Sequence, residues 1–186
     1  MPNIADDFIK TLRSAIGVSP STEQIFSYIY AMLCAPGYRT RYAEFLRRDF
    51  PRVPITSDPA LFKKLALLGH ELIELHLLRR ALPAITSYPK AGSNRVEKIE
   101  FKPEPDNPEQ GRVHINATQY FDKMPKAVWE YTIGGYQVAN KWLKDRKGRL
   151  LTFDELQHYG RVVAALNATI RLQAQIDAKI GTWPIA

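Results

Sequence analysis

The chain contains a single cysteine, Cys34, in 186 residues. A lone cysteine cannot close an intrachain disulfide, so nothing points to an oxidising compartment. Cys34 lies in an apolar stretch with no activating partner in view, which fits a small core residue rather than a nucleophile. Long apolar runs are also lacking: none approaches the ~20 residues that a membrane span requires. The first ten residues, MPNIADDFIK, carry acids and have no apolar core of the signal-peptide kind. A cytoplasmic protein without a membrane partner is therefore expected.

Nucleotide and nucleophile signatures are missing as well. There is no G-x-x-x-x-G-K-[ST] loop, no G-x-G-x-x-G after a strand, and no G-x-S-x-G elbow. The segment GHELIELH begins like the zinc motif H-E-x-x-H, but its fifth position is Glu74. His70 and Glu74 share a helix face, whereas His76 points about 120° away from Glu74, so a metal centre at His70, Glu71 and Glu74 is disfavoured against a solvated face. VEKIEFK contains E-x-K twice, as metal-dependent nuclease strands do, but the nearest upstream acid of the required type is Asp58, a helix cap. No metal site and no cofactor are expected in this chain.

What is present is a basic globular composition. Hydrophobic residues make up 45% and charged residues 24%, enough to bury a core in one soluble domain. There are 26 basic residues against 19 acidic ones, a net charge of +7. An excess of that sign favours a polyanionic partner only if it is concentrated. It is concentrated twice. In 36–52, Arg39, Arg41, Arg47, Arg48 and Arg52 face only Glu44 and Asp49; in 141–149, Lys141, Lys144, Arg146, Lys147 and Arg149 face only Asp145.

Periodicity predicts a mostly helical chain. A short helix is expected over 4–15. Ser21 with Gln24 has capping-box spacing, and Ile25, Ile29, Met32 and Leu33 follow at helical intervals. Pro36-Gly37 interrupts. One further helix is expected through YRTRYAEFLRRDF, with Tyr38, Tyr42 and Phe45 inward. PRVPITSDP reads as a rigid loop, ending in an Asp58 cap with Pro59 at the first helical position. Leu61, Leu65, Leu68, Leu72 and Leu75 then form an apolar seam over roughly 20 residues.

Residues 83–94 read as loop, RVEKIEFKP and RVHIN as two strands of a hairpin joined by a turn-rich DNPEQG, with QYF as a possible extension. Pro125 starts a short helix through Trp129. In YTIGGYQVANKWLKDRKGR, Val138, Ala139, Trp142 and Leu143 share one helical face, and Gln137, Asn140, Lys141 and Lys144 the other. Adjacent glycines before a helix raise the question of a phosphate cradle. With no buried strand before them, Gly134-Gly135 is expected to turn the backbone into the helix instead. Gly148 is a candidate residue just past the helix end. Thr152 caps a last helix, with Leu156, Val163, Leu166, Ile170 and Ile176 as its buried stripe.

The expected fold is α+β, mostly α: a helical domain with a small antiparallel β-hairpin or sheet inserted between two helical halves. A single domain is expected over 1–186, with a lead-in at 1–20, helical halves at 21–80 and 125–180, and the β insertion with its loops at 83–124.

Four blocks carry a resemblance. IFSYIYAMLCAPGYRTRYAEFLRRDFPRVPI, LFKKLALLGHELIELHLL, GRVHINATQYF and VWEYTIGGYQVANKWLKDRKGRLLTFDELQHYGRVVAALNATIRL, in this order, closely resemble the C-terminal specificity domain of type ISP restriction–modification enzymes. The match runs from about Asn3-Ile4 to Asp177. Such enzymes join a nuclease, a helicase-like ATPase, an N6-adenine methyltransferase and a target-recognition domain in one polypeptide. The resemblance implies that this chain is the DNA-reading part, non-catalytic by itself, with double-stranded DNA and an adjacent methyltransferase domain as partners. S-adenosylmethionine, ATP and Mg would serve the other parts, whose N-P-P-Y motif is absent here.

Arg39, Arg41, Arg47, Arg48, Lys141, Lys144, Arg146, Lys147 and Arg149 are the candidate phosphate contacts. Since family members read different sequences while sharing the blocks, base reading is sought mainly between them, at Lys90, Ser93, Asn94, Arg95, Asn116 and Gln119, with Gln137 added from the basic helix. The competing readings are a helical docking module without its own base readout, and the metal hydrolase already disfavoured.

Overall fold

A computed structural model describes residues 4–185, and the chain divides into two compact units. One comprises the chain up to Arg79 together with the chain from Arg171 onward; the other is Arg80–Ile170. The secondary structure is α+β and mostly α, with the small antiparallel sheet lying in sequence between helical parts.

The first unit contains α1 (Asp6–Ile16), α2 (Thr22–Cys34), α3 (Pro36–Arg41), α4 (Ala43–Leu46), α5 (Pro59–His76) and the end of α8 (Phe153–Ile180). The capping box forms: the Gln24 N–H donates to Ser21 Oγ, and the Ser21 N–H donates to Gln24 Oε1. Asp58 caps α5 by accepting from the Ala60 N–H at 2.7 Å. The α5 face that packs is Phe62, Leu65, Ala66, Gly69, Leu72 and Leu75.

The expected seam was therefore rotated slightly. Leu61 and Leu68 are only half-buried, and Phe62 takes the place beside Tyr28, with ring centroids 4.9 Å apart. Gly69 is required for this packing, because a Cβ there would collide with the Ser27 carbonyl of α2. Each fully buried Leu of the face contributes about 1.5–3 kcal/mol. Two buried tyrosines pin the proline-rich loop: Tyr28 Oη donates to the Pro54 carbonyl, and Tyr38 Oη to the Arg52 carbonyl. The helix expected through YRTRYAEFLRRDF breaks at Tyr42, whose ring packs on Tyr38 and Trp183. Tyr38 is buried, while Tyr42 and Phe45 are half-buried.

The second unit holds β1 (Glu100–Glu104), β2 (Asn107–His114), β3 (Tyr120–Pro125), α6 (Lys126–Glu130), β4 (Thr132–Ile133), β5 (Tyr136–Gln137), α7 (Val138–Lys144) and the first part of α8. The sheet is antiparallel in the order β1-β2-β3. Its inward residues Phe101, Val113 and Phe121 join Val96, Ile115, Met124, Val128, Trp129, Ala139, Leu143, Tyr159, Val163 and Leu166 in one core.

Three expectations change here. Most of DNPEQG belongs to β2, because Asn107 pairs with Glu104 and Gln110 with Pro125; only Pro105 and Asp106 turn. Tyr120 and Phe121 of QYF open a full third strand, within which Lys123 adopts φ 57°. The first strand starts only at Glu100, since the Val96 N–H donates instead to the Arg149 carbonyl. Thr152 and Glu155 form a second capping box, at the start of α8. Along α8, Val163, Leu166 and Ile176 are buried, Leu156 and Ile170 half-buried, and Tyr159 and Leu172 are buried members that the stripe omitted. No helix among the described residues is long and apolar enough to cross a membrane.

Candidate nucleic-acid interface

Gly134 and Gly135 are the two central residues of a tight hairpin between β4 and β5. Both have positive φ, 58° and 84°, the combination that a type I′ turn demands and that glycine adopts without strain. A Cβ at either would meet open space, so conformation and not close approach explains them. The glycines thus form a hairpin tip one step before α7, neither a phosphate cradle nor a direct bend into the helix. The Val138 N–H donates to the Tyr131 carbonyl and closes the base of the hairpin. α7 itself ends at Lys144, and Gly148, with φ 83°, ends the turns beyond it.

The hairpin and α7 enclose a cleft of about 460 Å³, lined by Gly135, Tyr136, Gln137, Asn140, Lys141, Lys144 and Asp145. Asn140 Nδ2 donates to Gln137 Oε1 at 3.0 Å. Asn140 Oδ1 is buried and has no hydrogen-bond partner. Tyr136 is 63% exposed, and Lys141 Nζ lies 5.7 Å from its ring centre.

The cations of 141–149 divide into braced and open ones. Lys141 is held by Asp145 at 2.7 and 2.8 Å. Arg146 stacks 3.6 Å over the Trp142 ring, donates to the Trp142 carbonyl and reaches Glu155. Arg149 donates to the same carboxylate at 2.9 Å. The Thr152 N–H and then Arg149 and Arg146 hold Glu155 below the ordinary carboxylate range. Arg146, a candidate phosphate contact by sequence, is therefore a bracing side chain whose guanidinium is occupied from both sides. Lys144 and Lys147 are exposed and form no ion pair among the described residues.

In the first unit, Arg39 Nε donates to the Leu33 carbonyl near the end of α2. Arg47 pairs with Glu44 at 2.6 Å, with both side chains more than 70% exposed. Such pairs are worth at most about 1 kcal/mol and exchange readily. Arg41 and Arg48 are exposed, without an ion pair among the described residues. Burial pushes the Cys34 thiol up, against a smaller opposing effect of Arg39, so it stays protonated and inert at neutral pH.

Two of the candidate base readers are interior. Gln119 is fully buried, and its amide is saturated. Its Nε2 donates to the Lys90 carbonyl and Asn94 Oδ1, while Oε1 accepts from the Asn94 N–H and Asn116 Nδ2. Asn116, also buried, accepts from the Gln119 N–H and donates to the Arg95 carbonyl. These side chains hold the 90–95 loop and offer a base nothing. Asn94 belongs to the same network and is half-buried with φ 57°. Arg95 donates to the Gly148 carbonyl at 2.8 Å but remains exposed, and Lys90 and Ser93 are exposed. Gln137 is half-buried in the cleft wall.

The zinc-like segment is dispersed: Glu74 meets Arg79 at 3.5 Å, and His76 Nδ1 meets Tyr30 Oη at 2.6 Å. No group of His, Cys, Asp and Glu among the described residues could hold a metal ion.

The cleft is polar, with Lys141 and Lys144 in its wall, on a small α+β scaffold. The model of the Type ISP C-terminal specificity domain matches residues 1–174. The chain belongs to that family. Among solved structures it is similar to the DrdV–DNA complex, at 22% identity and TM-score 0.71, over 95% of this chain and 19% of that one. It is similar to a nuclease-deletion mutant of the Type ISP restriction–modification enzyme LlaGI in complex with a DNA substrate mimic, at 20% identity and TM-score 0.63 over 84% and 14%. The ATP-dependent Type ISP enzyme LlaBIII bound to DNA matches at 17% identity and TM-score 0.67, over 98% and 12%. The chain thus spans less than a fifth of the length of these proteins. No curated protein matches it.

Proposed function

We propose that this domain recognises a specific sequence in duplex DNA on behalf of a restriction–modification enzyme and does no chemistry itself. Membership of the specificity-domain family carries the reading. The open cations Arg41, Arg48, Lys144 and Lys147 support it, because phosphate contacts fix register while base-edge contacts select sequence. The exposed Lys90, Ser93 and Arg95 and the cleft residue Gln137 remain the candidates for base contact. S-adenosylmethionine, ATP and Mg belong to the other parts of the enzyme, and the setting is the cytoplasm. An N6-adenine methyltransferase must extrude its target base, at a cost of a few kcal/mol. A second module gripping the flanking duplex offsets that cost.

Selection from a pool of randomised duplexes tests the proposal. The 186-residue chain should enrich one short sequence; retention of the pool without any enriched sequence would exclude recognition by this domain.

One observation favours an added docking role toward the methyltransferase domain. Phe153 is 71% exposed at the edge of an apolar cleft of about 480 Å³ shared with Leu82, Tyr88, Phe121 and Leu156. Phe153→Asp should leave enrichment by the isolated chain unchanged and weaken association with a separately expressed methyltransferase.

A further inference from the structure

We propose that the Gln137–Asn140 amide pair is an adenine-reading site, presented to DNA by the glycine hairpin and α7. This inference rests on the DNA-recognition reading above and narrows it to two side chains and one base.

The pair is bonded to itself and still unfinished. Asn140 Nδ2 donates to Gln137 Oε1 at 3.0 Å. That leaves Asn140 Oδ1 as a buried acceptor without a partner. It also leaves Gln137 Nε2, for which the described residues provide no acceptor, as a donor in the same cleft. A buried polar atom without a partner is unfavourable, and such atoms are rare in folded proteins. Oδ1 calls for a donor and the open Nε2 can take an acceptor, so a partner that engages both presents a donor and an acceptor side by side. Turning both amides over together preserves their mutual bond and again leaves one donor and one acceptor.

Among single bases, only adenine carries that combination on its own major-groove edge, as the N6 amino group beside N7; a G·C pair offers it only across its two bases. Guanine presents two acceptors, thymine an acceptor and a methyl group, and cytosine a donor alone. The surroundings suit a nucleotide. Tyr136 presents an exposed ring, and Lys144, with no ion pair among the described residues, lies in the cleft wall within one residue of Asp145. Lys141 is neutralised by Asp145, so the cleft offers one open cation for a neighbouring phosphate. Oδ1 is buried, so the incoming edge reaches it by shifting the Gln137 side chain while the Gln137–Asn140 bond is kept.

The test begins with the sequence that the 186-residue chain enriches from randomised duplexes. Each adenine of that sequence is replaced in turn by 7-deazaadenine, which lacks the N7 acceptor. One replacement should weaken binding by the unaltered chain about 5- to 150-fold. The same replacement should cost Gln137→Ala little or nothing. Asn140→Asp, which presents only acceptors, should shift the enriched base at that position from adenine to cytosine. If Asn140→Asp does not fold, judged by its thermal melt, the Gln137→Ala comparison decides alone. Equal sensitivity of Gln137→Ala and the unaltered chain at every adenine overturns the inference, as does an enriched sequence without adenine, while DNA recognition itself stands. Failure of the unaltered chain to enrich any sequence defeats both.

Discussion

Gln119 and Lys144 are both polar residues in basic surroundings, and their roles are opposite. Gln119 spends all its hydrogen-bonding capacity on Lys90, Asn94 and Asn116. Gln119→Leu would strand the Asn94 N–H, the Asn116 amide and the Lys90 carbonyl. Unfolding in urea should show a loss of about 3 kcal/mol, since each stranded buried group costs about 1–3 kcal/mol. Arg146 and Lys144 form a matched pair of probes. Arg146→Ala removes a stacked cation and its bonds to Trp142 and Glu155, and should lower stability by about 1–2 kcal/mol. Lys144→Ala should move the urea midpoint by no more than about 0.5 kcal/mol in stability and act on DNA affinity alone. Sequence alone could not separate these two cations, because the Trp142 ring and the Glu155 carboxylate reach Arg146 through the fold. Asn140 was visible as a neighbour of Gln137 on the polar face, but its unpaired oxygen is a property of packing.

Helix identities were legible wherever a cap and an apolar period agreed. Ser21 with Gln24, Asp58 with Pro59, and Thr152 each begin the helix they announce. The strands were less legible, because pairing and not composition decides them. Asn107–Gln110 reads as turn, yet Asn107 pairs with Glu104 of β1 and Gln110 with Pro125 of β3. The glycine pair was placed at the right junction but in the wrong element, since a two-residue strand leaves no periodicity to detect. Two substitutions test these elements. Gly69→Ala forces a methyl group into the Ser27 carbonyl and should cost more than about 2 kcal/mol in urea unfolding, as overpacking a helix contact does. At Gly135 the space is open and only φ 84° is demanding. Gly135→Asn should therefore be tolerated in a thermal melt, whereas Gly135→Val should lower stability by about 1–2 kcal/mol.

At the scale of the whole molecule, the net charge of +7 matters through the cations that no carboxylate already holds. Those are Arg41, Arg48, Lys144 and Lys147 among the candidates, since Lys141, Arg146, Arg149 and Arg47 have acidic partners and Arg39 is tied to the Leu33 carbonyl. A polyanion releases counterions in proportion to the charges it meets. The most direct measurement is the affinity of the chain for a duplex across about 50–200 mM salt. If the four open cations each neutralise one phosphate, log K should fall against log salt with a slope of about −3.6, and Lys144→Ala should flatten it by about 0.9. A slope near zero, or one that Lys144→Ala leaves unchanged, would contradict the placement of DNA on these residues.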